Sequence, residues 1–157
     1  MGALMQLSNG NRERVMRHIE ALPELADEIE AGAAAAEPHL AREAAFLAGS
    51  LVPLMDAVES LVYPELDRLL SCRLAMTPME REHAEARRLI ARIGDLASAP
   101  RSEASVSELG RALRRLYTLI ASHLADESSY ARLLEHNVDA PIAEALASAM
   151  PPVSTAI

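Results

Sequence analysis

Four long stretches of the chain repeat apolar residues at alternating steps of three and four, and this spacing is the strongest constraint on the fold. Such spacing places the apolar residues on one face of an α-helix. Segments rich in helix-breaking residues, among them EAGAAAAEPH and GDLASAPRSEAS, separate the stretches. Half of the residues are hydrophobic but only 3% are aromatic, which favours helices over strands. The sequence therefore predicts an all-α fold.

The order of helices and breakers predicts an antiparallel up-down four-helix bundle with a short C-terminal helix. We expect a flexible N-terminus over residues 1–10, the bundle over residues 11–136, and the short helix and tail over residues 137–157. Proline lacks a backbone N–H and disturbs the helical turn before it. The prolines expected to bend or interrupt the first two helices are Pro23, Pro53 and Pro64.

Composition excludes several functional classes. The net charge is −8 and no basic patch is interleaved with aromatic residues, so we expect no nucleic-acid partner. The single cysteine, Cys72, cannot form an internal disulfide. The N-terminus lacks the pattern of a signal peptide, and we expect no apolar run long enough to cross a bilayer. These features predict a soluble, cytoplasmic protein without a membrane partner, and the Ala-rich surfaces are compatible with a homodimer.

Polar side chains interrupt the apolar stripes of three predicted helices. His18, His83 and His123 each fall on an inward stripe, and Glu127 follows His123 by four residues, on the same helical face. A buried carboxylate is costly unless it finds a cation or a hydrogen-bond partner. One metal ion would satisfy all four side chains, and mixed imidazole and carboxylate ligands suit iron, manganese or zinc better than magnesium or calcium. The pattern therefore favours a metal site in the bundle core.

A second interpretation stays open for each histidine taken alone. A single histidine on an apolar face is more often a hydrogen-bonded core residue than a metal ligand. The joint occurrence on three helices is what favours a metal. We interpret His39 and His136, which lie at helix ends, as surface or capping residues, and Glu82, beside His83, as a surface residue or an outer partner of a ligand.

Four motifs in this order resemble the hemerythrin-like (HHE) domain family over about residues 11–136. They are His18, VYPELDRLL, MEREH and HLADE. The resemblance implies an up-down four-helix bundle with a non-haem di-iron centre that binds or reduces oxygen, nitric oxide or peroxide. By position, it implies that His18, His83, His123 and Glu127 are metal ligands.

The second helix departs from the usual family pattern. Leu54 and Val58 stand where relatives usually carry a histidine and a glutamate, and the acid follows one residue later, at Glu59. One residue is a rotation of about 100° around a helix, so Glu59 would need a turned or kinked helix to face inward. A branch of the family is similar in its VExxxYP arrangement, which implies that Glu59 and Tyr63 bind metal. The alternatives are a surface acid and a tyrosine that packs at a boundary.

Two functional hypotheses from different classes remain. In the first, the protein is a di-iron protein that binds or reduces a small oxidant, and whether it turns over as an oxidoreductase stays open. In the second, the loss of the second-helix ligands leaves a mononuclear site or none, and the bundle acts as a sensor or interaction module. Manganese or zinc fit the first hypothesis less well than iron. Its six candidate ligands are His18, Glu59, Tyr63, His83, His123 and Glu127.

Overall fold

The computed structural model of the protein describes residues 2–151 and 153. Within these residues the chain is helical and has no β-strand, and the prediction of an all-α bundle is confirmed. Four long helices are followed by a short one. They are α1 (Ala3–Glu30), α2 (Ala36–Leu69), α3 (Thr77–Ser98), α4 (Glu103–Asn137) and α5 (Ala140–Ala149).

The helix ends follow local chemistry. α1 ends before Gly32, whose φ of 66° is readily adopted only by glycine. α4 begins with a reciprocal cap, in which the Ser102 side chain accepts from Ser105 N–H and the Ser105 side chain accepts from Ser102 N–H. At the N-terminus, α1 already begins at Ala3, so most of the segment that we predicted as a flexible terminus is helical. Pro23 lies inside α1 without ending it.

α2 contains two π-helical turns, and each lies just before a proline. The first spans Leu47–Leu51 and precedes Pro53; the second spans Val58–Val62 and precedes Pro64. A proline removes one backbone donor and crowds the carbonyl four residues earlier, and a wider turn relieves both problems. The prolines thus alter the helix without ending it. Each π-turn also rotates the residues after it relative to those before it.

The four long helices surround one hydrophobic core. α1 packs on α4 and on α2, and α3 packs on α4 and on α2. Short loops join consecutive helices, which requires neighbours to run antiparallel. Fully buried side chains come from all four helices and from the α2–α3 loop. The largest are Tyr63, Ile19, Leu22, Leu25, Leu40, Leu47, Leu66, Met76, Ile93, Leu109, Leu113 and Leu116.

α2 is also long and apolar enough to cross a membrane by length and composition, so our expectation that no such run exists is wrong. One third of its most apolar window is buried inside the bundle, including Leu47, Leu51 and Leu54. A core helix of a bundle passes the same test of length and composition. The property is therefore weak evidence for a membrane segment.

The chain after α4 folds back onto the bundle as a C-terminal arm, which we define as α5 with Met150, Pro151 and Val153. The arm packs on α1 and on the second π-turn of α2. The side chain of Asn11 in α1 makes two hydrogen bonds to the backbone of the arm. Asn11 Nδ2 donates to the Pro151 carbonyl at 3.4 Å, and Val153 N–H donates to Asn11 Oδ1 at 3.1 Å. These contacts position the arm over one end of the core.

Candidate metal centre

Two imidazole rings from different helices meet in the core. His83 of α3 and His123 of α4 have ring centroids 4.4 Å apart, at an angle of 43°. Each residue is only 2% exposed. Both lie on the apolar stripes of their helices, one turn from Met79 and Ile120 respectively, so the helical repeat carries them inward.

A carboxylate fixes the orientation of the His83 ring. His83 Nδ1 lies 2.8 Å from Glu59 Oε1, which also accepts from Arg87 Nη1 at 2.9 Å. An ionised carboxylate can only accept, so Nδ1 carries the proton and Nε2 carries the free lone pair. Burial, with a contribution from the nearby His123, lowers the pKa of His83 to about 4 against the opposing effect of Glu59. The ring is therefore neutral at neutral pH, as metal binding requires.

His123 repeats this arrangement with a different acid. Its Nδ1 lies 2.7 Å from Glu82 Oε2, so Nδ1 donates to the carboxylate. Its Nε2 atom is buried and has no hydrogen-bond partner among the described residues. A buried polar atom without a partner is uncommon in proteins and calls for an explanation. Histidine ligands of metals use this same arrangement, in which a carboxylate holds one ring nitrogen and the other faces the ion.

Tyr63 stacks on the His83 ring, with ring centroids 5.6 Å apart. Its hydroxyl is 3.5 Å from His83 Nε2, at the limit of a hydrogen bond that the hydroxyl donates. Burial raises the pKa of Tyr63 above its ordinary value, and the negative charges of Glu127, Glu59 and Glu82 add to this effect. In the absence of a cation, the side chain is therefore a phenol rather than a phenolate.

Glu127 stands between two cavities. The inner cavity, of about 20 Å³, is lined by His83, His123 and Glu127 together with Leu51, Leu54, Met55, Val58, Ile120 and Leu124. The outer cavity, of about 50 Å³, shares Leu54, Val58, Leu124 and Glu127 with it and has Tyr63 in its wall. Burial raises the pKa of Glu127, opposed by attraction to His123. A nearby cation would favour its ionised form.

His18 does not join these residues. Its ring stacks on Phe46, with centroids 3.6 Å apart, and its Nδ1 lies 2.7 Å from Glu43 Oε2. Glu43 is 2% exposed and also accepts from Arg42 Nε at 3.0 Å. Within the described residues, His18 lines neither the inner nor the outer cavity. The inward position on α1 belongs to its neighbour Ile19, which is completely buried.

The two remaining histidines lie away from the inner cavity. His39 donates through Nδ1 to Glu28 at 2.8 Å, and its Nε2 is 3.7 Å from Glu43 Oε1. It therefore belongs to the same group as His18 and joins α1 to α2. His136 donates to the Arg132 carbonyl at 2.7 Å at the exposed end of α4.

Comparison with protein families identifies the bundle. The model of the hemerythrin HHE cation binding domain matches residues 7–134, most of the chain. The chain belongs to this family. Comparisons with curated proteins and with solved structures gave no match. The description of this family is that of a domain that binds cations.

The residues of this hemerythrin-like domain fit one metal ion better than two. Among the described residues, no three His, Cys, Asp or Glu side chains are already arranged to bind one ion. His123, whose Nε2 has no partner among the described residues, nevertheless lines one cavity together with His83 and Glu127, and these residues supply two imidazoles and one carboxylate. For a second ion, Glu59 is engaged by His83 and Arg87, and His18 is engaged by Glu43.

The sequence left part of the site of this hemerythrin-like domain undecided. Glu82, interpreted as a surface residue or an outer partner of a ligand, bonds the ring of His123 on α4 rather than that of its chain neighbour His83. Met55 lines the inner cavity beside Leu54 and Val58. Arg87, which bonds both Asp56 and Glu59, fixes the acid that holds His83.

Proposed function

We propose that this hemerythrin-like bundle binds one iron ion at the inner cavity, through His83, His123 and Glu127, and that the ion binds or reduces a small oxidant. The observation that supports this most strongly is the pair of buried rings whose Nδ1 atoms are held by carboxylates. Both rings thereby direct Nε2 lone pairs inward, and that of His123 has no partner among the described residues. Two histidines with one carboxylate are typical ligands of non-haem Fe(II) with open positions.

The protein residues would have separate tasks at this site. Glu59 and Glu82 keep each ring in the tautomer that offers Nε2. Tyr63 supplies a hydroxyl that can donate a hydrogen bond beside His83. Leu54, Val58 and the other apolar walls exclude water and leave room only for a small molecule. Bound iron would supply an open coordination position and an electron for peroxide, nitric oxide or oxygen.

A two-iron centre is the second candidate. The side chain of Glu59 is 28% exposed and borders His83, so a change in its rotamer would bring a carboxylate toward the site. Tyr63, four residues later, would then be a candidate ligand as the phenolate. This candidate also needs His18 to leave Glu43, and it therefore requires a larger rearrangement than the one-iron site.

The third candidate is a degenerate bundle without redox chemistry, acting as a sensor or interaction module. The observation that favours it is the apolar wall of the inner cavity at Leu54 and Val58, where relatives usually carry metal ligands. In this case the unpartnered His123 Nε2 would be a remnant of an ancestral site.

Iron content per chain separates the three candidates. The protein is loaded anaerobically with Fe(II), desalted and measured for iron by elemental analysis. We expect about one iron per chain. Two irons would support the two-iron centre, and none would support the degenerate bundle. His123→Ala should remove the iron, whereas His136→Ala, which removes a surface histidine from the same helix, should not. If both variants retain iron equally, the inner cavity is not the site.

The visible spectrum of the oxidised protein tests the role of Tyr63. If its phenolate binds ferric iron, the protein has a charge-transfer band that Tyr63→Phe removes without changing the iron content. If Tyr63 only donates a hydrogen bond, Tyr63→Phe leaves the spectrum nearly unchanged. Tyr117→Phe, at a half-buried tyrosine on α4 that lines neither cavity, is the control.

A further inference from the structure

The outer cavity is a mainly apolar space that the proposed function does not use. Its volume of about 50 Å³ exceeds the roughly 10–15 Å³ that one water molecule needs by a comparable measure. Walls come from α1, α2, α4 and the C-terminal arm. The apolar lining residues are Leu4, Leu7, Val15, Leu54, Val58, Val62, Leu66, Leu124, Ala131 and Met150. The other lining residues carry polar groups, and they are Ser8, Asn11, Arg12, Tyr63, Glu127 and Tyr130. Mainly apolar walls favour small apolar molecules such as xenon.

The outer cavity and the inner cavity are direct neighbours. Leu54, Val58, Leu124 and Glu127 line both of them. These shared side chains therefore stand between a molecule in the outer cavity and the inner cavity that the two imidazole rings line. Rotation of one side chain is a much faster event than opening of the bundle, so exchange between the cavities does not require unfolding.

The C-terminal arm forms one wall of the outer cavity. Met150 lines the cavity, and Val153 of the same arm is buried. Asn11, itself 4% exposed, also lines the cavity and holds the arm through its two bonds to Pro151 and Val153. The arm lies beyond residues 7–134, which match the family. Among the described residues it is thus a wall outside the matched part of the bundle, and the two bonds of Asn11 hold its backbone.

We propose that the outer cavity is a binding site for an apolar molecule of diatomic or xenon size, and that the C-terminal arm covers its entrance. A short segment outside the four-helix core opens locally at a lower free-energy cost than the whole bundle. Entry then depends on release of the arm at Asn11. This inference concerns the protein without metal, so it stands or falls independently of the iron site.

The binding site is tested with xenon and metal-free protein. Methyl groups labelled with ¹³C are followed by NMR under increasing xenon pressure. We expect saturable shifts at Val15, Val62 and Leu66, which line only the outer cavity, and none at the core residues Ile90 and Ile93. Shifts that are absent, or that are spread evenly over the core, would overturn the site.

A cavity-filling variant with a matched control completes this test. Ala131→Val adds two methyl groups inside the outer cavity and should abolish the xenon shifts. Ala112→Val makes the same change at an alanine of the same helix that is equally buried, 7% exposed, and lines neither cavity, so the shifts should persist. If Ala131→Val does not fold, Val62→Ile fills the cavity from α2 and should weaken the shifts. Xenon shifts that survive filling contradict the assignment.

The role of the arm is tested through the rate of exchange. Asn11→Ala removes both bonds to the arm and should raise the xenon exchange rate and the hydrogen exchange of the Val153 amide together. Asn137→Ala, which removes an asparagine bonded to the Leu133 carbonyl instead, should change neither. Faster amide exchange with an unchanged xenon exchange rate would show that entry does not pass under the arm.

Discussion

His123 and His18 begin from the same sequence pattern and reach different structures. Each is a histidine at the edge or on the stripe of an apolar helical face, and each places Nδ1 2.7 Å from a glutamate oxygen. In the His123 pair, the ring is 3% exposed and Glu82 is 35% exposed. In the His18 pair, the order is reversed, with 16% exposure for the ring and 3% for Glu43.

This difference in exposure shows which residue of a histidine–glutamate pair orients the other. When the ring is buried and the carboxylate is near the surface, the acid orients the ring and leaves Nε2 facing the core. When the carboxylate is buried, the ring supplies the hydrogen bond that the acid needs in order to be buried at all. The His83 pair, with Glu59 as the outer acid, is of the first kind. We therefore expect the two kinds of pair to respond oppositely to mutation.

The largest expected effect is the loss of metal affinity in His123→Ala. Loss of an outer partner typically costs about 10–100-fold in metal affinity, and loss of a ligand costs more. His18→Ala should leave the affinity unchanged, because His18 lines neither cavity. Competition with a chromophoric chelator measures both. If His18→Ala weakens Fe(II) binding as much as His123→Ala does, α1 contributes to the site and the distinction between the pairs fails.

The next effect concerns folding stability. Glu43→Ala removes a buried acid that bonds His18 and Arg42, and should lower the free energy of unfolding by about 2–4 kcal/mol. Glu82→Ala removes a partly exposed acid and leaves the His123 Nδ1–H without its partner, and should lower it by about 1 kcal/mol, the lower end of the cost of such a donor. Urea denaturation of the metal-free proteins measures both values. Equal losses would mean that burial of the acid does not distinguish the two pairs.

In metal binding, the order of the two variants should be reversed: Glu82→Ala should have the larger effect and Glu43→Ala the smaller. Glu82→Ala frees the His123 ring to rotate and should weaken Fe(II) binding about tenfold or more. Glu43→Ala should have no effect on the affinity of the protein that remains folded. Glu82→Gln, which keeps a hydrogen-bonding side chain of the same length, should lie between the wild type and Glu82→Ala. If Glu82→Ala binds Fe(II) with unchanged affinity, Glu82 does not orient the His123 ring for metal binding.

A further effect on the metal-free protein is a dependence of stability on pH that comes from His83. Its pKa is about 4 in the folded protein, below its ordinary value of 6.5, so the unfolded chain binds a proton between these values and the folded protein does not. The folding stability that depends on a neutral His83 is fully present above about pH 6.5 and is lost as the pH falls toward 4. Between about pH 7 and pH 5 it should cost about 2 kcal/mol. Urea denaturation of metal-free His83→Gln should show a correspondingly smaller loss over this range.

The sequence was sufficient for the helices and for most of the candidate site. Breakers marked the long helices, and regular spacing brought His83 and His123 inward in α3 and α4, which contain no interior proline. In α1, the sequence did not determine which of two neighbouring residues faces the core. Val15, His18 and Leu22 fit a helical stripe as well as Val15, Ile19 and Leu22 do, and only packing shows that Ile19 takes the buried position. Periodicity alone cannot distinguish two neighbouring phases of one stripe.

The inward residues of α2 after its second π-turn could not be predicted from the sequence spacing. A regular continuation of the stripe from Leu54 and Val58 would place Leu61 inward, but Tyr63 is the buried residue after the second π-turn. Regular helical spacing assumes 3.6 residues per turn, and it fails wherever the turn is wider. The contacts of Glu59 with His83 and Arg87 depend on this local geometry and on a long-range match with α3. Neither can be derived from the spacing within one helix.

The two π-turns of α2 have a consequence for how this helix can change in length. Each wide turn holds surplus chain between segments whose ends are fixed by packing. Deletion of one residue within Val58–Val62 should therefore be absorbed by conversion to ordinary α-helix, which leaves the remainder of the protein in place. The same deletion within the regular helix α3 would turn its downstream half by about 100° and expose its apolar face. Tolerance of deletions along α2 would then mark the places where a bundle of this kind can acquire or lose a ligand without refolding.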